Sequence, residues 1–122
     1  MEKLVDTVVQ RFYKPPLSSQ KDACLVHIYP TGPWMGMRHA LASQPLIVGR
    51  GEDCEIRVLD TSVSRRHARV TANGSKLFIS EEVGALNGTF LNGKRLIPGK
   101  SEPLQSGDTL ALGMVLLKLQ GR

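Results

Sequence analysis

Two Asn-Gly pairs, Asn73-Gly74 and Asn92-Gly93, interrupt short apolar runs and constrain the fold more than any other feature of the chain. Asn-Gly is among the strongest signals for a two-residue β-hairpin, because both residues tolerate the positive φ that such turns require. Similar short runs continue from Cys24 onwards, and after residue 22 no segment repeats its apolar residues at helical spacing. We therefore predict an all-β fold, a two-sheet antiparallel β-sandwich of about ten to eleven short strands.

The predicted strands are short alternating or apolar segments. They span residues 24–29, 35–41, 46–48, 56–58, 67–72, 76–80, 90–91, 95–97, 109–112 and 114–119. Residues 99–103 are predicted to form a surface loop. Their Gly-Lys-Ser start resembles the end of a phosphate-binding P-loop, but Lys94 occupies the position of the required first glycine. Pro103 also blocks the helix that must follow a P-loop, so nucleotide binding is disfavoured.

The first 22 residues differ from the rest of the chain. Their apolar residues lie on one side of a helix if the segment is helical, and they are Leu4, Val5, Val8, Val9 and Phe12. Pro15-Pro16 would end that helix. We predict an N-terminal extension over 1–22, either disordered or packed on the domain or on a second chain, followed by one β-sandwich domain over 23–120.

Composition excludes several function classes. Although the net charge is +5, residues 49–70 contain five arginines against four acids, and aromatic residues make up 5% of the chain. A nucleic-acid site favours a continuous basic stripe with stacking aromatics, so nucleic acid is not indicated. Two distant cysteines and three scattered histidines lack the paired spacing of a zinc site or a disulfide framework. We predict no metal, no cofactor, no membrane segment and a cytoplasmic location.

Three polar clusters fall between predicted strands: Gly49-Arg50-Gly51, Ser64-Arg65-Arg66-His67 and Asn87-Gly88-Thr89. They supply guanidinium, hydroxyl and carboxamide donors, which match the acceptor oxygens of a phosphate. No acid is placed by sequence to orient His67 as a base for Ser64, so we predict no catalytic residues. The clusters indicate a protein that binds phosphate and does not catalyse a reaction. Spacing alone does not place the three clusters at one end of the sandwich.

The order and spacing of these clusters, with Asn92-Gly93 and Gly107-Asp108 after them, resemble the forkhead-associated (FHA) domain over residues 23–120. The resemblance implies an eleven-stranded β-sandwich whose end loops bind phosphothreonine peptides, a mode that uses arginine. It therefore implies an adaptor in kinase-linked signalling, whose partner is a threonine-phosphorylated protein. The alternative is a phosphate-independent dimerisation or docking module that self-associates through the N-terminal extension.

The resemblance also implies a role for each site residue. Arg50 would pair with the phosphate, Ser64 would donate its hydroxyl, Arg65 would add a second cation, and Asn87 would hold the peptide main chain. Four residues would support the binding loops: Gly49, His67, Gly88 and Thr89. We expect Arg50 to be exposed.

One position departs from the family pattern, because many members have a serine or threonine where this chain has Leu86. One hydrogen bond to the peptide is therefore expected to be missing. The residues predicted to set peptide preference are Ser62, Val63, Arg66 and Leu86.

Overall fold

The computed structural model describes residues 23–41 and 45–121, and within these ranges the chain forms eleven strands and no helix. The strands are β1 Cys24–Tyr29, β2 Arg38–Ala40, β3 Leu46–Gly49, β4 Ile56–Arg57, β5 Ala68–Asn73, β6 Lys76–Glu81, β7 Thr89–Leu91, β8 Lys94–Arg95, β9 Glu102–Leu104, β10 Thr109–Leu112 and β11 Val115–Gln120. The predicted β-sandwich is confirmed. The predictions for residues 1–22 lie outside the described residues.

The strands form two sheets. One has six strands in the order β2-β1-β11-β10-β7-β8, and the other has five in the order β4-β3-β5-β6-β9. Neighbouring strands run antiparallel as predicted, except that β3 and β4 are parallel, with Gly49 opposite Arg57. This exception arises because residues 50–55 carry the chain back beside β3 before the two-residue β4 begins. Its effect is to bring Arg57 next to the loop that follows Gly49.

The Asn-Gly hairpins form as predicted, with one difference in register. Asn92 and Gly93 are the two central residues between β7 and β8, and both have positive φ, 52° and 85°. Between β5 and β6, however, Asn73 pairs with Lys76, so the central residues of that turn are Gly74 and Ser75. Gly74 supplies the positive φ, 66°, which favours glycine there.

Strand β9 was not predicted, because Pro103 made its segment look like a loop. Within the described ranges β9 pairs with β6 alone, and Pro103 lies opposite Phe78. Proline is tolerated at the edge of a sheet, where its missing N–H is not needed by a second neighbour. The return strand predicted over 35–41 is also shorter, because the N–H groups of Met35 and Met37 bond to carbonyls three residues back.

The core lies between the two sheets and takes inward-facing residues from both. Its fully buried members include Leu25, Val48, Val63, Val70, Ile79, Leu110, Leu112, Leu117 and Leu119. Strand register then places the loops. In the five-stranded sheet, Val48 and Glu81 both lie opposite Ala68, so β3 ends, β5 begins and β6 ends at the same end of the sandwich. The first polar cluster lies at the end of β3, the second directly precedes β5, and the third lies where the connection from β6 enters β7. All three are therefore carried by a rigid scaffold.

Candidate functional site

Main-chain hydrogen bonds join the first two clusters side by side. The N–H of Arg50 donates to the carbonyl of Ser64 at 2.9 Å, and the N–H of Gly51 donates to the carbonyl of Arg65 at 3.0 Å. Gly49 is buried where these segments meet, and a Cβ there would overlap the carbonyl group of Arg65. The close approach of the two loops therefore requires glycine at this position.

His67 joins the second cluster to the third. Its side chain is fully buried, and Nδ1 accepts a hydrogen bond from the main-chain N–H of Ser64 at 3.0 Å. The ring proton therefore lies on Nε2, which donates to the carbonyl of Gly88 at 2.9 Å. His67 thus holds two loops together from inside, which is the location that the family resemblance implied for it.

Two further hydrogen bonds orient the polar side chains of the site. The hydroxyl oxygen of Ser64 accepts from the main-chain N–H of Leu86 at 3.0 Å, which leaves the hydroxyl hydrogen available to a ligand. Asn87 is exposed, and its Nδ2 donates to the carbonyl of Ser62 at 2.8 Å. Both side chains are therefore oriented before a ligand arrives.

Ser62 connects the loops around it. Its hydroxyl donates to Asp60 Oδ1 at 2.6 Å and accepts from the main-chain N–H of Met114 at 2.8 Å. The hydroxyl and N–H of Ser62 hold the pKa of the Asp60 carboxyl below its ordinary value. This network positions the carbonyl of Ser62 that receives Asn87.

The structure corrects the prediction for Val63. Its side chain is fully buried in the core, so it cannot contact a peptide directly. Its carbonyl oxygen instead accepts a hydrogen bond from Nε of Arg50 at 2.9 Å. Val63 therefore supports the arginine through its main chain, and its side chain is not available to set peptide preference.

Arg50 is half-buried, and the expectation that it would be exposed was wrong. The bond from its Nε to Val63 fixes the guanidinium and leaves the two terminal nitrogens for a ligand. Such a planar fork is suited to paired hydrogen bonds with phosphate oxygens.

Arg50 lines a pocket of about 610 Å³. The other lining residues are Gly51, Glu52, Asp53, Arg57, Arg65 and Arg66. Sequence reasoning identified Arg50, Arg65 and Arg66 but missed Arg57. The sequence indicates only that Arg57, between the apolar residues Ile56 and Val58, faces outward from its strand; it does not place Arg57 beside Arg50. Ser64 and Asn87 are not among the lining residues, so the pocket extends away from the third cluster.

The four arginines of the pocket differ in their partners. Arg66 lies 3.4 Å from Glu82 and 3.9 Å from Asp53, so its charge is largely matched by acids. Among the described residues, Arg50, Arg57 and Arg65 form no ion pair. These three are the cations available to an anionic ligand.

The remaining predicted residues support the loops. Gly88 is buried with a φ of 77°, a conformation that favours glycine. Thr89 is fully buried at the start of β7, and within the described chain its hydroxyl has no hydrogen-bond partner. The Leu86 side chain is 85% exposed beside Asn87.

In the described ranges, histidine, cysteine, aspartate and glutamate side chains form no cluster that could hold a metal ion. None of the described residues forms a helix long and apolar enough to cross a membrane.

Comparison with known proteins identifies the family. The protein-family model of the FHA domain matches residues 46–113 of this chain, which include all three polar clusters. The chain belongs to the FHA domain family. The matched region runs from the start of β3 to the turn after β10, so it contains the loop network described above except for Met114.

Curated relatives support this assignment. FHA domain-containing protein FhaB of Mycolicibacterium smegmatis is 30% identical over 89 residues, which cover 73% of this chain and 56% of FhaB. The oxoglutarate dehydrogenase inhibitor of Corynebacterium jeikeium is 38% identical over 82 residues, covering 67% of this chain and 54% of that protein. This FHA domain chain therefore spans about half the length of the curated relatives it matches.

A solved structure has the same fold. It comes from a structural and functional analysis of phosphothreonine-dependent FHA domain interactions, and it superimposes on this FHA domain with a TM-score of 0.69. The two chains are 28% identical, and the alignment covers 82% of this chain and 96% of the other.

Proposed function

We propose that this FHA domain binds phosphothreonine peptides and acts as an adaptor in kinase-linked signalling. The observation that carries the proposal is the pairing of Arg50, fixed through Nε on the carbonyl of Val63, with Ser64, fixed by the N–H of Leu86. Together they present a guanidinium fork and a hydroxyl hydrogen from adjacent loops. The solved relative with phosphothreonine-dependent interactions supports the same ligand.

The negative charge of the phosphate group makes it the central contact between the peptide and the site. A phosphothreonine carries about −1.5 to −2 charge and three strong acceptor oxygens at neutral pH. Arg50 supplies a charge-assisted pair, Arg65 a second cation, and Ser64 a neutral donor. An unmodified threonine leaves Arg50 without a counter-charge, so binding should depend on phosphorylation.

The other site residues hold the peptide or the loops. Asn87, fixed on the carbonyl of Ser62, holds the peptide main chain next to the phosphothreonine. His67 fixes the second cluster against the third through its two hydrogen bonds. Gly49, Gly88 and Thr89 shape the loops.

Peptide preference is set by residues around these contacts. Leu86 is exposed beside Asn87 and presents an apolar surface. Arg66 lines the pocket and forms ion pairs with Asp53 and Glu82. Ser62 acts through its main chain and through the neighbouring loops.

The same geometry argues against catalysis by Ser64 and His67. Nδ1 of His67 accepts a hydrogen bond from the main-chain N–H of Ser64, and Nε2 donates one to the carbonyl of Gly88. Neither ring nitrogen is left to activate the Ser64 hydroxyl. The domain over 23–120 is therefore proposed as a binding module. We also propose that it is located in the cytoplasm and that residues 1–22 form an extension.

Titration calorimetry of the full chain with one peptide in three forms tests this function. We expect binding of the phosphothreonine form, weaker binding of the phosphoserine form, and none of the form treated with phosphatase. Equal binding before and after phosphatase would contradict the proposal. If the full chain also eluted at the mass of a dimer, phosphate-independent docking would be favoured.

A further inference from the structure

Arg57 lines the same pocket as Arg50, and both guanidinium groups are anchored through Nε. Nε of Arg57 donates to the carbonyl of Arg50 at 3.2 Å, while Nε of Arg50 donates to the carbonyl of Val63 at 2.9 Å. Each guanidinium is thus held by a main-chain carbonyl and keeps its terminal nitrogens for a ligand. Parallel pairing of β3 and β4, with Gly49 opposite Arg57, produces this arrangement.

The pocket is larger than one phosphate needs. At roughly 30 Å³ for each water-sized atom, the five heavy atoms of a phosphate take about 150 Å³. The pocket measures about 610 Å³ and extends along Arg57 and the 51–53 segment, away from Asn87. Space therefore remains for a second group next to the phosphothreonine.

Most acids near the pocket are engaged elsewhere. Glu82 pairs with Arg66 and Arg69 at 3.4 and 3.1 Å, and Glu55 accepts the N–H of Ile47 at 2.8 Å. Asp60 accepts the hydroxyl and N–H of Ser62. In the described part of the chain, Arg57 has no acidic partner. Two acids lie on the pocket wall, Glu52 and Asp53, and Asp53 lies 3.9 Å from Arg66.

We propose that Arg57 forms a second anion subsite, which takes an aspartate or glutamate side chain close to the phosphothreonine in the same peptide. This subsite rests on the proposed function, because the phosphothreonine places the peptide over the pocket. The guanidinium fork of Arg57 binds the two carboxylate oxygens together.

Charge balance favours a carboxylate over a second phosphate. Arg50, Arg57 and Arg65 contribute three positive charges, and Glu52 removes one. The charges of Arg66 and Asp53, the other charged residues of the pocket, offset each other. A phosphothreonine at about −1.5 to −2 leaves little positive charge for a second dianion. A carboxylate therefore suits the remaining positive charge better than a second phosphate does. The gain in affinity comes from the geometry of its contact with Arg57.

A peptide series tests the subsite by titration calorimetry with the full chain. The parent peptide has phosphothreonine flanked by alanines, and each variant has one aspartate at one of the three positions on either side. We expect a gain of about threefold to tenfold at one or two positions, between the value of an exposed ion pair and that of a charge-assisted hydrogen bond. A further peptide carries a second phosphothreonine at the best position and should gain no more than the aspartate.

Arg57→Gln identifies the residue responsible. The measured quantity is the ratio of the affinities for the aspartate and parent peptides within each variant. We expect the ratio to fall to one in Arg57→Gln. It should stay unchanged in Lys76→Gln, which removes the same charge from an exposed residue at the opposite end of the sandwich.

The outcomes separate this inference from the proposed function. If the parent phosphothreonine peptide does not bind, the proposed function fails. If it binds but no aspartate position gains affinity, or the gain survives Arg57→Gln, the subsite is wrong. A larger gain from the second phosphothreonine would overturn the assignment to a carboxylate.

Discussion

The hydroxyl oxygen of Ser64 accepts a hydrogen bond from the main-chain N–H of Leu86 at 3.0 Å. The leucine side chain is 85% exposed and contributes nothing to that bond. A leucine in this position therefore keeps Ser64 oriented, although it lacks the hydroxyl that many FHA domains have there. The departure from the family pattern therefore affects one expected peptide contact and leaves the orientation of Ser64 in the proposed phosphate site unchanged.

Leu86→Thr should restore the missing contact. A threonine hydroxyl beside Asn87 adds one donor, and a net hydrogen bond of about 0.5–1.5 kcal/mol corresponds to roughly twofold to tenfold tighter binding. Stability should change little, because the side chain is exposed. Calorimetry with a phosphothreonine peptide measures the effect. Val83→Thr, at an equally exposed position of the same loop, is the control. Equal gains in affinity in both variants would contradict the assignment of the missing contact to position 86.

His67→Ala should destabilise the domain. It removes a buried side chain and leaves the N–H of Ser64 and the carbonyl of Gly88 unpaired, at a cost of about 2–4 kcal/mol in the free energy of unfolding. Urea unfolding measures this cost. If peptide affinity fell while stability stayed unchanged, His67 would be a ligand contact and the bracing role would be wrong.

Gly49→Ala should disrupt the junction of the first two clusters. The added Cβ overlaps the carbonyl of Arg65, which belongs to the main chain and cannot move without shifting the binding loop. Gly74→Ala is the matched control, because its Cβ meets open space and only the positive φ is strained, at about 1–2 kcal/mol. Urea unfolding should show a larger loss for Gly49→Ala. Equal losses would show that the loops can separate without cost.

Stability should fall as the pH drops below about 6.5. Burial lowers the pKa of His27, against a smaller opposite effect of Asp60, and burial also lowers the pKa of His39. The unfolded chain then binds protons that the folded chain does not, so the free energy of unfolding decreases with falling pH until the folded pKa is reached. Above about pH 6.5 both states are neutral and the contribution vanishes.

Urea unfolding between pH 7.5 and 5 measures this slope, which for one histidine cannot exceed about 1.4 kcal/mol per pH unit. His27→Leu removes one titrating group at a buried position that lies opposite Leu117, so the slope should become flatter. An unchanged slope would show that His27 does not contribute.

Much of the fold was predictable because local rules agree with it. Turn chemistry at Asn92-Gly93 and alternating apolar residues gave the hairpins, and ten of the eleven strands were located. Strand β9 was missed because an edge position overrides the local preference of Pro103. The parallel pairing of β3 with β4 was missed because no local pattern specifies which way a two-residue strand runs.

The candidate site was predictable in its residue types but not in its connections. Sequence spacing identified Arg50 and Ser64, whereas their hydrogen bonds to Val63 and Leu86 depend on tertiary contacts between loops. Arg57 was missed for the same reason, because only the sheet register brings it to the pocket.

The most direct test of the proposed phosphothreonine site is the affinity of Arg50→Ala for a phosphothreonine peptide, measured by titration calorimetry. Loss of a paired, charge-assisted contact of about 3 kcal/mol should weaken binding by at least roughly a hundredfold. Far-UV circular dichroism should stay unchanged, because the mutation removes one hydrogen bond to Val63 from the fold. Arg38→Ala on β2 should bind as the parent does. Unweakened binding by a folded Arg50→Ala domain would contradict the proposed phosphothreonine site.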